Sequence, residues 1–292
     1  MNGNAYDRRV LLVPPIAAIL AGLILTGCGG GGSPKSSFPT IGAARTYRLT
    51  RFTPSGPVRV GRPVTVSFVI RQPDGTPLTR YKHGPGPHTG IHLIIVRRDL
   101  ATIIHRHPPV GANGVASQTV VFTKPGPYRV VVDAYPATHG PQPNFQLFDT
   151  LKVTGAYSPQ PLPAFKSTID VGGFRFVMHG TPHLKAIEAN DIVVTVTNPQ
   201  GKPARFTPWY GALAHAIFFR RGSLDYFHTH ICAPGAVGCT SALGGARVTG
   251  TSSTPGKLTV GVLVPAPGTW RLFLQCKVDD HVVTAPFTLT VH

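Results

Sequence analysis

The sequence predicts an all-β protein that contains two tandem antiparallel β-sandwich domains. Short runs rich in β-branched and aromatic residues recur along the chain, and turn sequences such as Pro73-Asp74-Gly75 separate them. Glycine and proline are abundant, with 33 and 30 residues, and no segment has the apolar periodicity of an amphipathic helix. Short strands with this regular punctuation are typical of Ig-like β-sandwiches.

Residues 1–27 are predicted to form a lipoprotein signal peptide that precedes the fold. Two arginines come before the apolar run from Val10 to Leu25, and Leu25-Thr26-Gly27-Cys28 is typical of a bacterial lipobox. A transmembrane anchor is the alternative, but this run is short for a membrane span and Pro14-Pro15 interrupts it. We therefore expect Cys28 to carry lipid and to hold the protein on the extracytoplasmic face of the cell membrane.

The second half of the chain repeats the first. Gln72-Pro73-Asp74-Gly75 corresponds to Asn198-Pro199-Gln200-Gly201, and Gly126-Pro127-Tyr128-Arg129 corresponds to Gly268-Thr269-Trp270-Arg271. Alternating prolines between the two copies predict a semi-rigid linker. The domain organisation that we expect has four parts after the signal peptide: a flexible tether (28–44), a first sandwich (45–156), a proline-rich linker (157–165) and a second sandwich (166–292).

Two segments, residues 92–107 and 215–230, carry the most specific pattern in the sequence. Their histidines have identical spacings of 13 and then 2 residues. Each segment is predicted to form a hairpin with a two-residue turn, at Arg98-Asp99 in one and Arg221-Gly222 in the other. Because side chains alternate along a strand, the three histidines of each segment would share one face near the open end of the hairpin.

This geometry predicts two separate clusters of three imidazoles. The predicted arrangement sets His92 opposite His105 and His215 opposite His228, with His107 and His230 completing the clusters. The rest of that face is apolar, so three imidazoles without partners would be costly to bury. Neutral imidazoles that share a metal ion avoid this cost, and nitrogen ligands suit Cu(II) and Zn(II). The alternative is that these histidines are structural and bind only protein groups.

The sequence offers further candidate ligands near each cluster. With only two methionines in the chain, a Met-rich Cu(I) carrier is disfavoured. Each additional candidate is more typical of a solvated loop residue. These candidates are His83, His88, Asp133, His139, Asp280 and His281.

The remaining cysteines lie in the second copy. Cys232 and Cys239 flank a loop that contains two glycines and one proline, and an exported protein permits a disulfide there. Cys276 is predicted to be a small buried apolar residue, and the alternative is a thiolate ligand beside the second cluster.

The formal net charge of +17 favours acidic partners. No run of Lys or Arg and no nucleic-acid recognition motif is present, so we expect no nucleic-acid partner. For an exported protein, the charge favours anionic phospholipids or anionic polymers of the envelope. The alternative is a solvated basic surface with no specific partner.

The first hairpin also carries a resemblance to a known family. His92-Leu93-Ile94-Ile95-Val96-Arg97-Arg98-Asp99-Leu100, followed by His105-Arg106-His107-Pro108, resembles exported actinobacterial proteins with tandem sandwich domains. Tyr210-Gly211-Ala212-Leu213-Ala214-His215 is similar to the second domain of that family, and the resemblance covers nearly all of the mature chain. It implies binding of heavy metals, especially copper. Thr229-His230-Ile231-Cys232 departs from the family's His-Pro, which leaves the second ligand set open.

Two functions remain as hypotheses. The first is a lipid-anchored extracytoplasmic protein that binds copper or zinc for sequestration or for delivery to a metal-handling partner protein. The second is a non-catalytic β-sandwich adaptor of the cell envelope. We do not expect an enzyme, because the sequence has no nucleophile elbow, no His-Glu-x-x-His helix and only 11 acidic residues.

Overall fold

The computed structural model describes residues 46–82, 90–137, 144–236, 242–243, 246–247, 249–252 and 255–292. Every regular secondary-structure element within these ranges is a β-strand. This confirms the predicted all-β fold with tandem antiparallel sandwiches. No helix in this part of the chain is long and apolar enough to cross a membrane. The predicted signal peptide, the tether and the lipidation site Cys28 lie outside the described residues.

The first sandwich consists of two facing sheets. Its strands in the described ranges are β1 (Arg48–Thr53), β2 (Val58–Arg59), β3 (Pro63–Arg71), β4 (Ile91–Arg97), β5 (Ile103–Arg106), β6 (Val115–Val121), β7 (Gly126–Ala134) and β8 (Phe145–Thr154). One sheet has the order β1-β3-β6, and the other has the order β2-β8-β7-β4-β5. The core between them includes Phe68, Phe122, Leu93 and Ile95.

The second sandwich follows after residues 157–165, which contain no strand. Its strands in the described ranges are β9 (Thr168–Val171), β10 (Phe174–Met178), β11 (Asn190–Thr197), β12 (Phe206–Thr207), β13 (Ala214–Arg220), β14 (Tyr226–Cys232), β15 (Ala242–Leu243), β16 (Ala246–Arg247), β17 (Gly250–Thr251), β18 (Lys257–Val262), β19 (Gly268–Val278) and β20 (His281–Val291).

These strands form two layers that the short strand β17 joins. One layer is β9-β10-β11-β18 and the other is β19-β13-β14, with β12 and β20 also paired to β19. Because β17 pairs with both β14 and β18, hydrogen bonding continues from one layer to the other. Phe176, Phe218, Trp270 and Phe287 are fully buried in the core between the layers.

The two sandwiches share a third apolar core, which is the feature that positions the site. Strand β4 is buried on both faces: Leu93 and Ile95 point into the first sandwich, whereas Ile94 and Val96 point toward the second. Strand β13 has the same division, with Phe218 inside its own sandwich. The buried residues of this interdomain core are Ile94, Val96, Leu100, Val131, Ile217, Phe219, Leu224 and Phe273. The histidine-bearing face of each hairpin is therefore an interdomain face.

The predicted hairpin register is wrong by two residues. Ile94 pairs with His105, and His215 pairs with His230, so His92 does not face His105 and His215 does not face His228. The loops contain four residues, since the amide of Arg97 donates to the Thr102 carbonyl and that of Arg220 donates to the Asp225 carbonyl. A shift of two keeps every side chain on its predicted face, because the strand repeat is also two.

Burial of a leucine explains the wider turns. Leu100 and Leu224 belong to the interdomain core, and both have positive φ values, 61° and 60°. A two-residue turn would have no additional loop residue that could place its side chain in this core. In the first hairpin, Arg97 and Asp99 also fix the loop, with Nη2 donating to Oδ2 at 2.7 Å.

We predict that burial of side chains in the interdomain core stabilises the protein. Ile94→Ala should lower the free energy of unfolding by about 2–5 kcal/mol, because it removes a fully buried side chain. The measurement is chemical denaturation. The control Val121→Ala, at a side chain that is 44% exposed, should cost no more than about 1 kcal/mol. Equal effects of the two substitutions would contradict a tight interface.

Candidate metal centre

In the described part of the chain, six histidines from both sandwiches form one cluster. The two predicted clusters are therefore not separate, because the hairpins face each other. Ring centroids lie 4.7 Å apart between His92 and His228 and 4.8 Å apart between His105 and His215, although each pair spans the two domains. His107 lies 4.2 Å from His92, and His230 lies 4.5 Å from His228.

The strands place these rings by continuing the apolar interdomain stripe. His92 precedes Ile94 by two residues on β4, and His215 precedes Ile217 by two residues on β13, so each imidazole shares a face with the interdomain core. Both rings are fully buried. The partner strands β5 and β14 bring the other histidines to the same end of the interface.

Nitrogen atoms of neighbouring rings approach one another closely. His92 Nδ1 lies 3.1 Å from His228 Nδ1, and His215 Nδ1 lies 3.3 Å from His228 Nε2. His107 Nε2 lies 3.2 Å from His105 Nε2. A tetrahedral ion with metal–nitrogen bonds of about 2.0–2.1 Å would hold its ligand nitrogens about 3.3 Å apart. The spacings fit shared metal ligation, and they also fit N–H···N hydrogen bonds.

Protein oxygens fix the outer nitrogen of two rings. His105 Nδ1 donates to Gln275 Oε1 at 3.0 Å, and His215 Nε2 donates to the Trp209 carbonyl at 3.0 Å. The Gln275 amide is itself oriented, because its Nε2 donates to Thr284 Oγ1 at 2.9 Å. A neutral imidazole has one N–H group, so each ring directs a lone pair into the cluster. Ligating histidines in metal sites are oriented in the same way.

A buried carboxylate lies against the cluster. Asp133 Oδ1 accepts hydrogen bonds from Asn144 and Gln146, and Oδ2 accepts one from the Tyr226 hydroxyl at 3.1 Å. The same Oδ2 lies 3.6 Å from His228 Nδ1 and 3.8 Å from His92 Nδ1. Burial alone would raise the pKa of this carboxyl group, but its interactions with the two rings outweigh burial and hold the pKa well below its usual range.

Asp133 and Gln275 occupy equivalent positions in the two repeats. Asp133 pairs with His92 across β7 and β4, and Gln275 pairs with His215 across β19 and β13. Each also reaches a ring of the other sandwich, since Asp133 lies beside His228 and Gln275 binds His105. The expectation that Asp133 is a solvated loop residue is wrong, because it lies within β7 and is fully buried.

The burial and mutual proximity of the rings favour their neutral form. Burial lowers the pKa of His105 and His215 well below the usual value, and neighbouring histidines lower it further. The pKa of His107 is lowered for the same two reasons. A neutral imidazole is the form that binds metals, so these rings are available as ligands without loss of a proton at neutral pH.

Three overlapping trios have donor atoms within 4.8 Å of one another. The first, His92 with His105 and His107, is the predicted trio of the first hairpin. The predicted second trio of His215, His228 and His230 is not one of the three. Both remaining trios combine histidines of the two sandwiches. These are His92 with His228 and His230, and His105 with His215 and His228.

Of the remaining proposed ligands, the structure describes Asp280 and His281, and neither joins the cluster. His83, His88 and His139 lie outside the described residues. Asp280 is paired with Lys277 at 2.9 Å, and His281 is exposed at the first position of β20. Two aromatic residues pack against the histidine cluster. The centroid of the Tyr210 ring lies 3.9 Å from that of His107, on which it stacks, and the centroid of the Trp209 ring lies 5.3 Å from that of His105.

Cys276 is separate from the histidine cluster. Cys276 belongs to the core of the second sandwich, and burial raises the pKa of its thiol to about 12, which disfavours a thiolate ligand. Cys232 is disulfide-bonded, whereas its predicted partner Cys239 lies outside the described residues.

Comparison with known proteins adds a family match and several distant fold likenesses. A profile described as a domain of unknown function (DUF8832) matches residues 168–292, which is less than half of the chain. No curated protein sequence matches.

Among solved structures, the Escherichia coli adhesin FdeC is similar at 14% identity and a TM-score of 0.25, over 84% of this chain and 64% of that one. Invasin, a bacterial integrin-binding protein, is similar at 16% identity and a TM-score of 0.22, over 84% and 39%. This chain spans less than two thirds of either protein. Such TM-scores establish no functional relationship.

We predict that Asp133 is required for the stability of the cluster. Asp133→Ala should lower the free energy of unfolding by roughly 2–5 kcal/mol, because it removes a fully buried carboxylate that accepts three side-chain hydrogen bonds. Chemical denaturation of the metal-free protein measures this. The control Asp191→Ala removes an exposed strand carboxylate and should have little effect. A loss at Asp133 no greater than at Asp191 would show that the carboxylate is not part of the network.

Proposed function

We propose that this protein binds Cu(II) or Zn(II) at the interface between its two sandwiches, for sequestration or delivery. One observation carries the proposal. His105 and His215 are anchored by protein oxygens at their outer nitrogens, and each of these two rings and His228 has a ligand nitrogen within 4.8 Å of the other two. Rings that only filled space would need no such orientation, whereas metal ligands do.

The energetics of burial support the same conclusion. An apolar interface gains nothing from polar rings that must be removed from water. Here six of them meet at one end of an otherwise apolar core, with the carboxylate of Asp133 beside them. A divalent cation at the lone pairs would turn these costly groups into favourable ligands, and the Asp133 carboxylate would offset part of its charge.

The donor set favours a borderline metal with an open position. The trio of His105, His215 and His228 offers three nitrogen ligands, which suits Zn(II) and Cu(II) and leaves a fourth position for water or an exchanging ligand. An open position allows transfer to another protein, which is the property that delivery requires. Binding would also join the domains, because His105 belongs to one sandwich and the other two rings belong to the second.

The expected location follows from the N-terminal motif. With Cys28 lipidated, the sandwiches would stand on the extracytoplasmic face of the membrane. The net charge of +17 would hold them near anionic lipids or envelope polymers. We propose no catalysis, and a metal-handling protein is the partner that delivery would need.

The alternative is a non-catalytic envelope adaptor whose histidines are structural. The observation that favours it is that adjacent rings already lie at hydrogen-bond distance, such as His107 and His105 at 3.2 Å. In that case the cluster would specify how the sandwiches dock and would gain little from an ion.

Metal-dependent stabilisation distinguishes these functions. We predict that Cu(II) or Zn(II), at about 100 times its dissociation constant, adds about 2.7 kcal/mol to the stability of the full chain in mild detergent. For a protein of this size, that corresponds to an increase in Tm of roughly 5–10 °C. Thermal unfolding measures the shift, and elemental analysis after desalting measures the bound metal.

His105→Ala combined with His228→Ala interrupts all three trios and should abolish both signals. The matched control, His179→Ala combined with His281→Ala, removes two exposed histidines and should retain them. A wild-type chain that takes up neither ion would refute metal binding and favour the adaptor. Equal loss in the two double variants would also contradict the assignment.

We also predict a role for Gln275 in positioning. Gln275→Leu removes the acceptor of the His105 Nδ1–H group and should weaken metal binding about 10–100-fold. Isothermal titration of Zn(II) measures the affinity. Gln118→Leu, on β6 of the first sandwich, is the control and should bind as the wild type does. Unchanged affinity of the Gln275 variant would show that this hydrogen bond does not orient a ligand.

A further inference from the structure

We infer that the cluster binds two metal ions and that His228 bridges them through its two ring nitrogens. This inference rests on the proposed metal-binding function and extends it to the number of ions and their connection. The site would then be dinuclear, with ligands from both sandwiches on each side of one shared imidazole.

The position of His228 is the first argument. Its Nδ1 lies 3.1 Å from His92 Nδ1, and its Nε2 lies 3.3 Å from His215 Nδ1. Both edges of this ring therefore face a nitrogen of another histidine, at the spacing of about 3.3 Å that two ligands of one tetrahedral ion would have. An ion at either edge would have His228 as a ligand.

The composition of the trios is the second argument. His228 belongs to the trio with His92 and His230 and also to the trio with His105 and His215. Apart from His228, these two trios share no residue. Two ions, one in each trio, would together use five imidazoles. His228 alone would bind both ions, one through each ring nitrogen.

The remaining trio does not add a third ion. His105 Nδ1 donates to Gln275, so His105 has only Nε2 to offer. That nitrogen is needed both by the trio with His92 and His107 and by the trio with His215 and His228. The two trios compete for His105, so the geometry limits the cluster to two ions at a time.

Charge balance also favours a bridge at this ring. To bind two ions, His228 must release its single N–H proton to solvent and become an imidazolate, and metal binding commonly releases protons. Asp133 Oδ2, at 3.6 Å from His228 Nδ1, is the carboxylate beside this position. The imidazolate and the carboxylate together would offset two of the four positive charges that two divalent ions introduce.

The test uses the full chain loaded with Cu(II), with copper measured by elemental analysis and by the integrated electron paramagnetic resonance signal. We expect two copper ions per chain and a signal well below the total copper, because an imidazolate bridge couples the two spins. His230→Ala should retain one ion with full signal, because it interrupts one of these two trios and leaves the other whole. His281→Ala is the control and should match the wild type.

Each outcome decides between the proposals. One ion per chain in the wild type would overturn the dinuclear site and leave metal binding intact. No ion would overturn both proposals. Two ions with the full uncoupled signal would overturn the bridge, as would a His230→Ala chain that still binds two ions.

Discussion

Burial of six imidazoles at the end of an apolar domain interface is the constraint on which the rest of the structure depends. The interdomain core brings two sheets together through Ile94, Val96, Ile217 and Phe219, and the histidine-bearing ends of β4 and β13 meet as a result. Polar rings in such a place need partners, because desolvation is costly. Gln275, the Trp209 carbonyl and Asp133 provide them, and each orients a ring or lies against one.

The internal repeat explains why the histidine cluster lies between the domains. Each sandwich presents the same hairpin face, so docking these faces brings two similar sets of donors together. The flanking strands contribute equivalent residues that act across the interface: Asp133 approaches His228, and Gln275 binds His105. The first sandwich alone contains the trio of His92, His105 and His107, but Gln275 of the second sandwich orients His105. The two repeats differ here as well, because one contributes a carboxylate and the other a neutral amide.

Much of this could be predicted from the sequence, and the rest depended on tertiary contacts. The all-β fold follows from the turn sequences that separate the short strands. The shared face of the histidines follows from the alternation of side chains along a strand. The register did not follow, because burial of Leu100 and Leu224 widened both turns. The docking of the two apolar faces against each other did not follow either, since strand alternation does not reveal what covers a face. Asp133 was assigned to a loop, although its alignment with Gln275 in the repeat placed it opposite a histidine.

The most direct test of the central claim is X-ray absorption at the metal edge of the Zn(II)-loaded full chain. The structure predicts a nitrogen shell at about 2.0–2.1 Å with the multiple scattering of imidazole rings, and no sulfur, since Cys276 is buried in a different core. A sulfur shell at about 2.3 Å, or an oxygen shell without imidazole scattering, would contradict a centre built from these histidines.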